Sequence, residues 1–114
     1  MNQAISLARL QRQYVRCRQE LSKLGYISQG SLQDRTARSG GGAGYQWTRK
    51  VAGKTVTVAL TRDQFQNMKK AVQNRRKLTS IISEMEKLSR QILFQAHPHP
   101  NRQKHLSPIV LGLK

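Results

Sequence analysis

The stretch YQWTRKVAGKTVTVALTRDQF, Tyr45 to Phe65, decides the fold. Its first sixteen residues alternate in character, with Ala52-Gly53 placed as a two-residue turn. That turn pairs Val51 with Lys54, Arg49 with Val56, Trp47 with Val58 and Tyr45 with Leu60. Strand side chains alternate, so one face of this hairpin collects Tyr45, Trp47, Val56, Val58 and Leu60. The other collects Gln46, Thr48, Lys50, Thr55, Thr57 and Ala59. A two-stranded ribbon is marginal by itself in water, so the apolar face is expected to pack on a helix. The polar face is left to solvent. The helix is announced at once: Thr61 and Gln64 have the spacing of a capping box. Leu60 and Phe65 make the matching hydrophobic staple, and Asp63 suits the positive end of the helix dipole.

From Thr61 no glycine or proline interrupts the chain before Pro98. A helix to about Gln95 is predicted, roughly 35 residues and about 52 Å long. Its apolar positions are Phe65, Met68, Ala71, Val72, Leu78, Ile81, Ile82, Met85, Leu88, Ile92 and Leu93. Upstream, Leu7, Leu10, Tyr14, Cys17, Leu21 and Leu24 step alternately by three and four, an unbroken heptad seam. This predicts a helix from about Asn2 to Leu24, with Arg9, Arg12 and Arg16 on another face. Gly25 is expected as its left-handed stop, with Tyr26 folded back on Leu21. At about 34 Å this helix is the shorter of the two. Part of the longer one is therefore expected to meet the hairpin, a second copy or a partner.

Residues 28–44 read as a flexible basic loop because the run Gly40-Gly41-Gly42-Ala43-Gly44 makes ordering costly. It is either a solvated linker or a loop that orders on nucleic acid; with no helix behind it, it is not a P-loop. After Ala96 the helical pattern stops, and residues 97–114 read as an extended basic tail. His97, His99 and His105 alternate with prolines or stand alone without carboxylates, which favours a solvated turn over a metal site. Ile109, Val110, Leu111 and Leu113 are either a docking tag, for a partner or for the helix pair, or a frayed end.

Composition narrows the function. The 114 residues carry 21 Lys and Arg against 5 Asp and Glu, for a net charge of +16 and a pI near 11.4. Between Arg35 and Ile82 the only acid is Asp63. Such a surface repels itself unless a polyanion neutralises it. Hydrophobic residues are 37% and aromatics 5%, which suits a narrow seam between helices better than an enzyme core. Cys17 is the only cysteine, so neither an intramolecular disulfide nor a Cys-based zinc site is available. That usage fits a reducing, cytoplasmic setting, with Cys17 as a seam residue rather than a reactive thiol. No run of about 18 apolar residues spans a membrane. The N-terminus has no apolar core of a secretory signal, although its Arg-rich amphipathic character leaves a transit peptide open. The five acids, Glu20, Asp34, Asp63, Glu84 and Glu86, offer no pair for acid–base work, and Ser31 has no histidine at a telling spacing. A non-enzyme without metal or cofactor is expected.

Binding is better supported. The candidate nucleic-acid contacts are Arg35, Arg38, Arg49, Lys50, Lys54, Lys69, Lys70, Arg75, Arg76 and Lys77. With the hairpin packed at the start of the long helix, these are expected to form one basic surface whose phosphate contacts release counterions. Phosphate contacts position but do not specify. The side chains available to read bases are Gln46, Thr48, Lys50, Thr55 and Thr57. Trp47 is either core, as its pattern suggests, or a stacking platform for an unpaired base. The bland reading of the basic helix is a solvated charged face.

Gly30-Ser31-Leu32, Gly44-Tyr45-Gln46-Trp47 and Val51-Ala52-Gly53-Lys54-Thr55, followed by a long helix, resemble an uncharacterised bacterial family. Its members are short proteins encoded beside transposases in mobile elements. The resemblance covers about Leu7 to Leu93. Many members carry a cysteine cluster before the hairpin that would suit zinc; Arg35 to Gly44 has none, so metal binding is not carried over. The resemblance implies a mobile-DNA context, and it alone favours DNA over RNA. The combined expectation is an α+β protein, two long helices in a partial antiparallel coiled coil with a β-hairpin inserted between them. Residues 1–96 would form the nucleic-acid-binding domain and 97–114 the tail. The rival is a coiled-coil adaptor, self-associating through the long helix or meeting an acidic protein with its basic face. Peripheral attachment to anionic membranes through the first helix is the weakest alternative.

Overall fold

The computed structural model describes residues 5–36, 44–99 and 106–113. The fold is α+β: helix α1 (Leu7–Ser22), strands β1 (Ser31–Asp34), β2 (Tyr45–Val51) and β3 (Lys54–Leu60), helix α2 (Arg62–Ala96) and the short helix α3 (Pro108–Leu111). Two compact units divide the chain. One holds residues 24–77, and the other holds 1–23 with 78–114.

In the first unit β1, β2 and β3 form one antiparallel sheet in that order. The hairpin register is the expected one, from Val51 opposite Lys54 to Tyr45 opposite Leu60. Both turn residues lie in the left-handed region, Ala52 at φ 50° and Gly53 at φ 79°. That is the geometry whose twist matches two flanking strands. Glycine adopts it freely; Ala52 does so against its own preference.

The third strand corrects the reading of 28–44 as a loop over Ser31–Asp34. Ser31, Leu32, Gln33 and Asp34 pair with Thr48, Trp47, Gln46 and Tyr45. Arg35 N–H adds a bond to the Gly44 carbonyl at 2.8 Å. Ordering this stretch is offset by the ladder hydrogen bonds it makes along the edge of β2. Gly30, at φ 128°, makes the approach feasible. A Cβ there would collide with the Trp47 indole, whose Nε1 donates to the Gln29 carbonyl at 3.0 Å. Residues 37–43, most of the glycine run included, lie outside the described residues.

The sheet's apolar face meets the first half of α2. Tyr45 and Phe65 rings lie 4.5 Å apart, and Leu32 shares a groove with Phe65 and Val72. Ala71 and Val72 are buried. Val56 and Val58, expected on the packed face, remain 39% and 40% exposed. β1 moves the covered part of the sheet toward β1 and β2 and leaves β3 at its edge. The start of α2 is the expected capping box: Gln64 N–H donates to Thr61 Oγ1 at 3.1 Å, and Thr61 N–H donates to Gln64 Oε1 at 2.9 Å.

In the second unit Leu10 and Leu88 are buried. The heptad positions Leu7, Tyr14, Cys17 and Leu21 are half-buried, and most of the remaining α1 positions are exposed. Contacts between α1 and the second half of α2 run in opposite order. Gln95 donates to the Ile5 carbonyl at 3.3 Å, Tyr14 and Val15 share a groove with Ser89, Ile92 and Leu93, and Cys17 and Glu20 share another with Ile81 and Glu84.

The ends of α1 differ from expectation. Ser6 caps the start, accepting from Arg9 N–H at 3.2 Å, while residues 1–4 lie outside the described set. The helix stops at Lys23 in right-handed geometry, its N–H shared between the Glu20 and Leu21 carbonyls. Gly25 is not left-handed and Tyr26 is 92% exposed rather than folded on Leu21. Partners on α2 take the leaving chain instead: Asn74 Nδ2 donates to the Tyr26 carbonyl at 2.9 Å, and Ser28 N–H donates to the Ala71 carbonyl at 3.1 Å. The tail is also not wholly extended. Pro108–Leu111 is helical, capped by Ser107 and by left-handed Gly112, and Arg90 donates to the Leu111 carbonyl at 3.1 Å.

Replacing Gly30 with alanine is expected to force Trp47 out of its place and weaken the β1–β2 pairing. The check is tryptophan fluorescence during urea unfolding. Gly30→Ala should red-shift native emission and lower the midpoint, and an unchanged spectrum would contradict this packing.

Candidate nucleic-acid interface

The unit spanning 24–77 contains eleven basic residues and two acids, Asp34 and Asp63. Both acids have local structural work. Asp63 sits in the first turn of α2, where the helix dipole favours a negative charge. The Asp34 carboxylate accepts from Thr36 Oγ1 at 2.6 Å and Thr36 N–H at 3.0 Å. These two bonds hold its pKa below the ordinary Asp value; burial opposes the shift, and Lys69 adds to it. Neither acid neutralises the cations as a group.

The helix divides its expected contacts into lines. Residues seven apart fall within about 20° of each other on an α-helix. Lys69 and Arg76 therefore share one line, Lys70 and Lys77 a second about 100° away. Arg75 lies about 110° from the first line and about 150° from the second, and it has a partner of its own. Lys69 and Arg76 border a groove of about 310 Å³ with Gly30, Leu32, Asp34, Phe65, Val72 and Gln73. Lys70, Arg76 and Lys77 are exposed, with no acid paired to them among the described residues.

The sheet also divides its cations. Arg49 lies on the apolar face, its guanidinium 5.6 Å from the Trp47 ring centroid, a cation–π contact. Lys54 is on that same face by register, at the hairpin end. Lys50 is on the polar face opposite Thr55. Arg35, just past β1, is half-buried, and its Nε donates to Gln33 Oε1 at 3.2 Å. Arg38 lies outside the described residues. The expected single surface is thus two exposed lines on α2 and two populations on the sheet.

Trp47 is fixed as a packing residue by Gln29, Gly30 and Arg49. Two residues that sequence reasoning missed are Gln33, which joins the polar sheet face through β1, and Asn74, which anchors the chain entering the sheet. A four-residue strand beside glycines leaves too little alternation to find the first. The second required knowing what crosses α2.

Cys17 belongs to the other unit. Burial first, and then the charges of Glu20 and Glu84, raise its thiol pKa, with Arg16 acting in the opposite sense. Thiolate chemistry is thereby disfavoured. Among the described residues no group of three or more His, Cys, Asp or Glu is placed to hold a metal, and no helix is long and apolar enough to cross a membrane. Compared with models of known families, with curated proteins and with solved structures, the chain matches none.

Asp34 gives a pH test. Its folded-state pKa is lowered, so its stabilising contribution is complete above the unfolded value near 3.9 and is lost as pH falls through the folded one. Asp34→Asn should reduce the fall in stability between about pH 5 and pH 2, measured by urea unfolding across that range. An acid limb of unchanged steepness would show that this carboxylate plays no part.

Proposed function

We propose that the protein is a non-catalytic nucleic-acid-binding accessory factor that grips the sugar-phosphate backbone. The observation that carries this reading is the uncompensated charge of the sheet-bearing unit. Lys70, Arg76 and Lys77 are exposed and unpaired with acids among the described residues, while Asp34 and Asp63 serve local structure. Cations of this kind release counterions from a polyanion, which gives affinity that falls steeply with salt. The mobile-element resemblance supports a place in a DNA transaction or ribonucleoprotein. The lone thiol is in keeping with a cytoplasmic location.

In the other unit the reading is a short antiparallel coiled coil. The heptad burial of Leu7, Leu10, Tyr14, Cys17 and Leu21 and the reversed contact order along α2 support it. A second reading is a protein-interaction adaptor. It draws on the apolar groove of about 350 Å³ between Tyr14, Val15, Ile92 and Leu93. Charge at Lys70 and Lys77 separates the two readings, because an adaptor using that groove does not need them.

Binding of a mixed-sequence duplex, followed by fluorescence anisotropy from low to moderate salt, should give a steep linear decline of log affinity with log salt. Lys70→Gln combined with Lys77→Gln should make the slope shallower by about two, roughly one for each phosphate no longer neutralised. The oligomeric state by light scattering should not change. Affinity that is indifferent to salt would refute the phosphate grip.

A further inference from the structure

The polar face of the sheet is an organised surface that the phosphate grip does not explain. Register places Gln33 on β1, Gln46 and Thr48 on β2 and Thr57 on β3 on this one face. Thr48 and Thr57 hydroxyls lie 3.4 Å apart across the strands. α2 packs on the opposite face, where Tyr45 meets Phe65. Arg35, bonded to Gln33, stands at one end of the polar face, and Lys50 at the other. Gly44, opposite Arg35, and Lys50 are six residues apart along the chain of β2, about 20 Å at 3.4 Å per residue. The face is therefore a strip of uncharged donors and acceptors, with a cation at each end and no acid on it among the described residues.

We propose that this strip enters the major groove of duplex DNA and reads base edges, Arg35 and Lys50 meeting the phosphate chains on either side. This rests on the nucleic-acid reading above and names its ligand class. The B-form major groove, roughly 12 Å wide, admits a two-stranded β-ribbon, here β1 and β2 with Gln33, Gln46 and Thr48. A strip with cations about 20 Å apart reaches across it and places the charges just beyond the rims. Glutamine pairs with adenine through both its amide atoms, and threonine presents a methyl to the thymine methyl and a hydroxyl to its neighbours. Duplex RNA is excluded by shape, since its major groove is deep and narrow and closed to side chains. A single strand would call for stacking aromatics on this face, and it carries none among the described residues.

The test is enrichment of bound sequences from a randomised duplex DNA library, followed by anisotropy on the enriched duplex, a scrambled duplex and the same sequence as duplex RNA. A consensus should emerge, favoured by about tenfold or more over scrambled DNA and over RNA. Gln46→Ala should cut affinity for the consensus by about tenfold, the scale of removing one bidentate pairing with a base, and leave scrambled DNA nearly unaffected. Gln33→Ala on the neighbouring strand also removes the acceptor of Arg35, and it should lower affinity for the consensus more than for scrambled DNA. Lys70→Gln with Lys77→Gln should weaken both duplexes alike. If no consensus emerges, or if duplex RNA binds as well, the major-groove inference falls while a salt-dependent phosphate grip stands. If no nucleic acid is retained at low salt, both readings fall together.

Discussion

The pairing of β1 with β2 is the constraint on which the rest of the sheet-bearing unit depends. Without Ser31–Asp34 the hairpin would be a two-stranded ribbon with one apolar face and little to hold it. With that strand in place β2 becomes central, Trp47 is enclosed by Gln29 and Gly30, and the helix-facing side shifts toward Leu32 and Tyr45. The same pairing extends the polar face across three strands. One short strand therefore settles both what is covered and what is presented.

Much of the architecture was legible because local rules and global packing agree. The hairpin register followed from Ala52-Gly53 and strand alternation, down to Tyr45 opposite Leu60. Thr61 and Gln64 announced the start of α2, and the absence of glycine and proline carried it to Ala96. The α1 heptad named the residues that are buried or half-buried. The misreadings arose where partners distant in sequence override local preference. Ser31–Asp34 has too few residues for a period, yet β2 supplies the missing bonds. Gly25 has the look of a helix stop, yet Asn74 and Ala71 draw the chain along α2 before any reversal forms.

The cations of the candidate site were legible as a population and less so in arrangement. Charge counting picked out the cations as a population, because two acids with structural duties cannot neutralise eleven bases. It could not assign faces. Helical geometry puts Arg75 away from Lys70 and Lys77, and strand register puts Arg49 and Lys50 on opposite sides of one sheet. A neighbour in sequence is a neighbour in space only as the local period permits.

The exposed β3 edge has a consequence for how the protein behaves in concentrated solution. Lys54-Thr55-Val56-Thr57-Val58 is rich in branched side chains, and among the described residues its outer backbone groups have no strand beside them. Such an edge invites another copy to zip alongside, and like charge is the principal deterrent. Raising ionic strength shortens the reach of that deterrent. High salt is thus the condition that removes the molecule's protection against clumping.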